Sequence, residues 1–146
     1  MVMLMKKILI MFFSAVALGG GIAYLIFNKV VIKENKEDLL AAKAFQIGAF
    51  TNYDNALRVA ERNNGIVVSD DDIFRVYVAV LYDDEAIKRL GKYYDTIGLR
   101  YYLKDVSVSN NFVKSISSSE DLLIKSSTET YSVINLNVLN KYKEML

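Results

Sequence analysis

The sequence predicts an α+β domain: a four-stranded antiparallel sheet with two helices on one face, the split βαβ architecture of RNP and ferredoxin-like folds. One transmembrane helix is expected before it and a C-terminal helical extension after it. Three observations predict this. Ile8 to Phe27, "ILIMFFSAVALGGGIAYLIF", is a run of twenty residues without a charge. From about Lys43 to Val108 the pattern strand, helix, strand occurs twice. Within that region Gln46-Ile47-Gly48-Ala49-Phe50 aligns with Tyr77-Val78-Ala79-Val80-Leu81, thirty-one positions on, and each is followed by a polar cap, an Ala-containing helix, a Gly and a strand.

Composition removes several function classes. The 146-residue chain has a net charge of +1, so no bulk attraction to nucleic acid or acidic lipid is implied. It contains no His and no Cys. Ser-His, Cys-His and His-metal constellations are therefore absent, as is any disulfide framework. Carboxylates are the strong acid/base groups that remain. No enzyme activity, metal or cofactor is expected.

The first element is the apolar run. At about 1.5 Å per residue it spans roughly 30 Å, the hydrocarbon thickness of a bilayer. Lys6 and Lys7 precede it, and Lys29 and Lys33 follow it. Ala15-Val16-Ala17 has the form of a signal-peptidase site, but the apolar run continues past it to Phe27. Residues 1–27 are accordingly read as a cytoplasmic tip and an uncleaved signal anchor, with the N-terminus cytoplasmic and the remainder extracytoplasmic. Residues 28–42, charged and without Gly or Pro, form a tether.

The domain is placed at 43–108. Strand one is Ala44 to Ala49. Helix one runs from near Asn52 to Asn63, and Asn64-Gly65 stops it. Strand two is Ile66 to Ser69, followed by an acidic turn, Asp70-Asp71-Asp72. Strand three, "IFRVYVAVL", is Ile73 to Leu81, β-branched and aromatic. Helix two starts at Asp83, whose carboxylate can cap it, and ends at Ile97-Gly98. Strand four is Leu99 to Val108. Residues 109–146 are read as a helical hairpin. Ser117-Ser118-Ser119-Glu120-Asp121 marks a break and a new helix start, Thr128 caps the last helix, and Tyr131, Ile134, Val138, Tyr142 and Met145 form its apolar stripe. The hairpin is expected to pack on the helix layer, or to offer residues 110–146 to an envelope protein partner.

Alternation along each strand sorts the side chains. Phe45, Ile47, Val76, Val78, Val80, Leu99, Tyr101 and Leu103 are assigned to the helix-covered face. Gln46, Gly48, Arg75, Tyr77, Ala79, Arg100, Tyr102 and Lys104 are assigned to the open one. Amide, phenol and cationic groups around small residues suit a ligand rich in hydroxyl and amide groups. Gln donates and accepts together, Tyr joins an apolar ring to a hydroxyl, and Gly permits close approach.

The stretch "FQIGAFTNYDNALRVAERNNG" resembles the first half of a SPOR (sporulation-related repeat) domain, a strand ending aromatic-x-Gln-x-Gly-x-Phe followed by a Ser/Thr/Asn cap and an Ala-rich helix. Phe45, Gln46, Gly48, Phe50 and Thr51 meet that pattern. "FRVYVAVLYDDEAIKRL" is similar to the second half through Arg75, Val76 and Val78, but Ala79-Val80-Leu81 stands where the family has Gly-Pro-Phe. The resemblance implies noncovalent binding of denuded peptidoglycan glycan strands at a division or sporulation septum, by a domain held outside the cytoplasmic membrane. Gln46 is the first contact it implies, with Thr51 or Asn52 as the polar group at the turn. The alternative is a membrane-anchored protein–protein scaffold that uses the open sheet and the terminal helices. An RNA-binding reading is disfavoured because strands one and three lack the paired aromatics that stack on bases.

Overall fold

The computed structural model describes residues 39–146. The expected anchor and most of the tether lie outside the described residues. Among the described residues, no helix is long and apolar enough to cross a membrane. The elements in order are β1 (Leu40–Phe50), α1 (Tyr53–Arg62), β2 (Ile66–Asp70), β3 (Ile73–Leu81), α2 (Asp84–Thr96), β4 (Tyr102–Val108), α3 (Asn110–Lys125), a 3-10 turn (Thr128–Thr130) and α4 (Tyr131–Met145). The sheet is antiparallel throughout, in the order β2-β3-β1-β4. The α+β class, the strand order that the split βαβ repeat requires and the helical extension all follow the sequence reading.

Local signals account for most element ends. The Asn52 side chain accepts from Asn55 N–H at the start of α1. Asn64 takes a left-handed φ of 51°, and Gly65 N–H closes on the Ala60 carbonyl. Asp83 caps α2 by accepting from Glu85 N–H and Ala86 N–H, and Gly98 ends that helix region at φ 73°. Two boundaries move. β1 begins at Leu40, because Leu40 to Lys43 pair with Val108 to Asp105 on β4, so the last three tether residues belong to the sheet. β4 begins at Tyr102, and residues 99–101 precede the ladder.

The expected break at Ser117–Asp121 is absent, and α3 runs through it. Serine is a weak helix former, but Ser119 and Glu120 are buried here, and the packing of Phe112, Ile116 and Leu123 overrides local preference. Thr128 opens the 3-10 turn, and no side-chain hydrogen bond caps α4.

Both faces of the sheet are covered at its centre. Ala44 and Phe45 are adjacent on β1, so they point to opposite faces, yet neither is exposed. Phe45 packs against Tyr94 and Tyr101, with ring centroids 5.4 and 4.9 Å away. This is the α2 side. On the other side Ala42, Ala44, Val80 and Val108 are buried in one cluster with Phe112, Ile116, Leu139 and Tyr142 of the hairpin. The expectation that helices cover only one face is therefore corrected. Small alanines on β1 leave room for the hairpin on the second face.

Candidate functional site

Two register shifts in the β1–β3 pairing decide which side chains share the second face. Phe45 lies opposite Ala79, Gln46 opposite Tyr77, and Gly48 opposite Val76. Val78 is thus an extra residue on β3, and Ile47 on β1. Each extra residue inverts the alternation locally. Ala79 consequently joins Phe45 on the α2 side, and Val80 joins Ala44 on the second face. Gly48 turns towards the α1 side, where Phe50 packs with Ala56, Ala60 and Val76. The sequence assignments of Ala79, Val80 and Gly48 are corrected accordingly. β1 and β4 pair without a shift, so Gln46 and Tyr102 remain opposite each other on the second face, with Lys104 opposite Ala44.

Five of the nine expected site residues, Gln46, Arg75, Arg100, Tyr102 and Lys104, meet at one end of this face, and Gly48 lines the groove there from the other side of the strand. A shallow groove of about 270 Å³ is lined by Gln46, Gly48, Arg100 and Tyr102 together with Ile47 and Tyr101. Arg75 donates to Gln46 Oε1 at 3.4 Å and to Asp70 Oδ2 at 2.6 Å. Lys104 Nζ donates to the same Asp70 oxygen at 2.8 Å. The Lys104 hydrogen bond, and then that of Arg75, hold the Asp70 carboxyl below its ordinary range. Tyr102 is 68 % exposed, so its ring is available to an apolar ligand face. Arg100 is exposed and makes no ion pair among the described residues.

The other three expectations fare differently. Tyr77 is on the second face but is 2 % exposed. Its ring packs 6.4 Å from that of Tyr142, and burial raises its pKa. It is a core residue and leaves the contact set. Thr51 and Asn52 are exposed at the entry to α1, and Asn52 is occupied as its cap. Within the groove, Gly48 has a packing reason for its size: an added Cβ would meet the Phe50 ring at 2.5 and 2.8 Å. The space a ligand was expected to use is filled by Phe50.

The sequence places Asp70 in a plain acidic turn. β2 extends one residue further than expected, and period-two counting from Ile66 through Val68 then places Asp70 on the second face beside Arg75. Larger concavities lie elsewhere. One of about 900 Å³ runs along α2 past Lys88, Lys92, Tyr93 and Thr128. It holds charges of both signs on an open slope. Among the described residues no group of acidic side chains could hold a metal ion. Comparison with models of protein families, with curated proteins and with solved structures finds no match.

Proposed function

We propose that the chain is a membrane-anchored, extracytoplasmic glycan-binding protein that recognises denuded peptidoglycan strands noncovalently and localises or scaffolds at a division or sporulation septum. The observation that carries this reading is the convergence of Gln46, Arg75, Arg100, Tyr102 and Lys104 at the uncovered end of the sheet's second face. Tyr102 offers a flat apolar ring to the C–H face of a sugar. Gln46 offers donors and an acceptor to hydroxyl and acetamido groups at the ring's rim. The cations face any carboxylate the strand carries. The SPOR resemblance of residues 43–108 supports the same ligand, and the apolar run at Ile8 to Phe27 supports the anchor.

The test is co-sedimentation of residues 39–146 with amidase-treated sacculi. The fragment is expected in the pellet, with Gln46→Ala and Tyr102→Ala both shifting it to the supernatant. A reporter active only outside the cytoplasm, fused after Leu146, is expected to be active. A second reading, a protein–protein scaffold in the envelope, is favoured by the exposure of Leu122, Val133 and Leu136 on the hairpin. A wild-type fragment that stays soluble with denuded sacculi, yet retains one envelope protein on a column, decides for that reading.

A further inference from the structure

We infer that Asp70 is a built-in counter-ion holding the place of a ligand carboxylate, so that a denuded strand binds by displacing it from Arg75 and Lys104. This rests on the glycan reading above and goes further, by naming the group recognised and the residue that competes with it.

Two cations from different strands, Arg75 on β3 and Lys104 on β4, converge on one oxygen, Asp70 Oδ2, at 2.6 and 2.8 Å. Their side chains are part-buried, at 22 % and 29 % exposure. The Arg75 guanidinium is also tied to Gln46 on the neighbouring strand. Asp70 is the most exposed of the three at 42 %. It closes the edge strand β2, next to Asp71 in the left-handed turn at φ 53°. The cations are thus fixed in the sheet, while the carboxylate sits at its rim, where a side-chain rotation frees it without moving the backbone. Exposed ion pairs hold weakly against water and salt. Exchange of Asp70 for a ligand carboxylate keeps Arg75 and Lys104 paired and leaves Asp70, 42 % exposed at the rim, to water, and Arg100 beside the groove adds a further positive charge.

The chemistry of wall glycan supplies such a carboxylate. Each muramic acid ring bears an ether-linked lactyl group. In intact wall its carboxyl is an amide to the stem peptide, neutral and bulky. Hydrolysis of that amide leaves an anionic carboxylate, which can accept from the guanidinium and the ammonium as Asp70 does. A free lactyl carboxylate can therefore take the place of Asp70, and an amide cannot.

The experiment titrates the full-length chain in detergent micelles with two ligands of equal length by calorimetry. One is a denuded glycan oligosaccharide with free lactyl carboxylates, and the other is a chito-oligosaccharide, which has no lactyl group. Wild type is expected to prefer the denuded ligand, with the preference shrinking as NaCl rises. Asp70→Asn, and Asp70→Ser as a second variant, are expected to tighten denuded-glycan binding by roughly two- to fivefold, the factor that corresponds to one exposed ion pair. Chito-oligosaccharide binding should not change. Lys104→Gln is expected to abolish the preference. If wild type prefers the denuded ligand but neither Asp70 variant gains affinity, the counter-ion inference is overturned and the glycan reading stands. If wild type binds both ligands equally, the counter-ion inference falls together with selectivity for denuded strands, and glycan binding alone stands. If wild type binds neither ligand, both fall.

Discussion

Glu120 sits in the middle of α3 with 4 % of its surface exposed, and its Oε1 accepts from Tyr82 N–H at 2.6 Å and Asp83 N–H at 2.8 Å. These two donors belong to the turn that leads from β3 into α2, so one side chain from the hairpin supports the domain's second crossover. Glu120→Leu removes the acceptor from both. A buried donor left unsatisfied costs about 1–3 kcal/mol. Tyr82 is 40 % exposed, so water reaches part of this turn and the lower half of the range applies, about 2–4 kcal/mol for the pair. With an m-value of about 2 kcal/mol/M, the urea midpoint of residues 39–146 is expected to fall by about 1–2 M. Glu120→Gln keeps the Oε1 acceptor and removes the buried charge. Burial raises the Glu120 pKa above its ordinary 4.5, against the lowering effect of the two backbone N–H groups. The folded state therefore binds the proton more tightly than the unfolded state. Between 4.5 and the raised value, stability must fall as pH rises, and above that window the ionised form carries the full cost. Urea midpoints followed by near-UV circular dichroism from pH 4.5 to 8 are expected to show Gln at or above wild type at neutral pH, with the gap closing in acid. A Gln variant as unstable as Leu at pH 7 would refute this, because the charge itself would then be the stabilising element.

Three further predictions concern the fold and the face. Gly65→Ala is expected to cost about 1–3 kcal/mol in thermal unfolding, as overpacking does, because the new Cβ would lie 2.7 Å from the Tyr77 carbonyl, a backbone atom held in the sheet. Asp83→Ala removes the cap of α2 and should lower stability by about 0.5–2 kcal/mol, with Asp83→Asn retaining most of it. Tyr102→Ala should leave the unfolding midpoint unchanged, since the ring is mostly in water, while reducing pelleting with denuded sacculi.

Elements with a local chemical cause were legible in the sequence. Asn52, Asp83 and Asn64-Gly65 each satisfy or redirect backbone groups near themselves, so α1 and α2 appear within a residue or two of where those side chains put them. β4 needs no bulge, and the outward placement of Tyr102 and Lys104 by alternation therefore holds. Counting fails on β3 because it assumes that no residue is extra. Gly48, a glycine inside a strand, was the available sign of a bulge. A strand glycine equally suits close approach of a ligand, and the sequence alone does not separate the two. The α4 stripe of Tyr131, Val138 and Tyr142 correctly indicated a buried face. A stripe records that a surface is covered and is silent about what covers it. The hairpin's position needed information that lies in Ala42, Ala44 and the unpaired part of β3.

That unpaired part explains why bulge and hairpin belong together. β2 pairs with β3 only from Ile73 to Tyr77, so Val78 to Leu81 lack a β2 partner. The Val78 carbonyl, at the bulge, instead accepts from the Tyr94 hydroxyl on α2 at 3.3 Å and from the Asn135 amide on α4. Asn135 Nδ2 also reaches the Tyr94 hydroxyl at 3.2 Å. The bulge thus presents the acceptor that docks α4, and α4 carries Tyr142 onto Tyr77. A chain ending at Val108 would lose this arrangement as a whole. Ala42, Ala44, Tyr77, Val80 and Val108 would face water together, and β3 would keep a bare hydrogen-bonding edge. Exposed apolar patches and open strand edges both promote self-association. The truncated chain is therefore expected to elute from size exclusion as aggregate. A soluble monomer that binds denuded glycan as wild type does would show that the hairpin is dispensable to the fold, and the half-covered face described here would lose its structural basis.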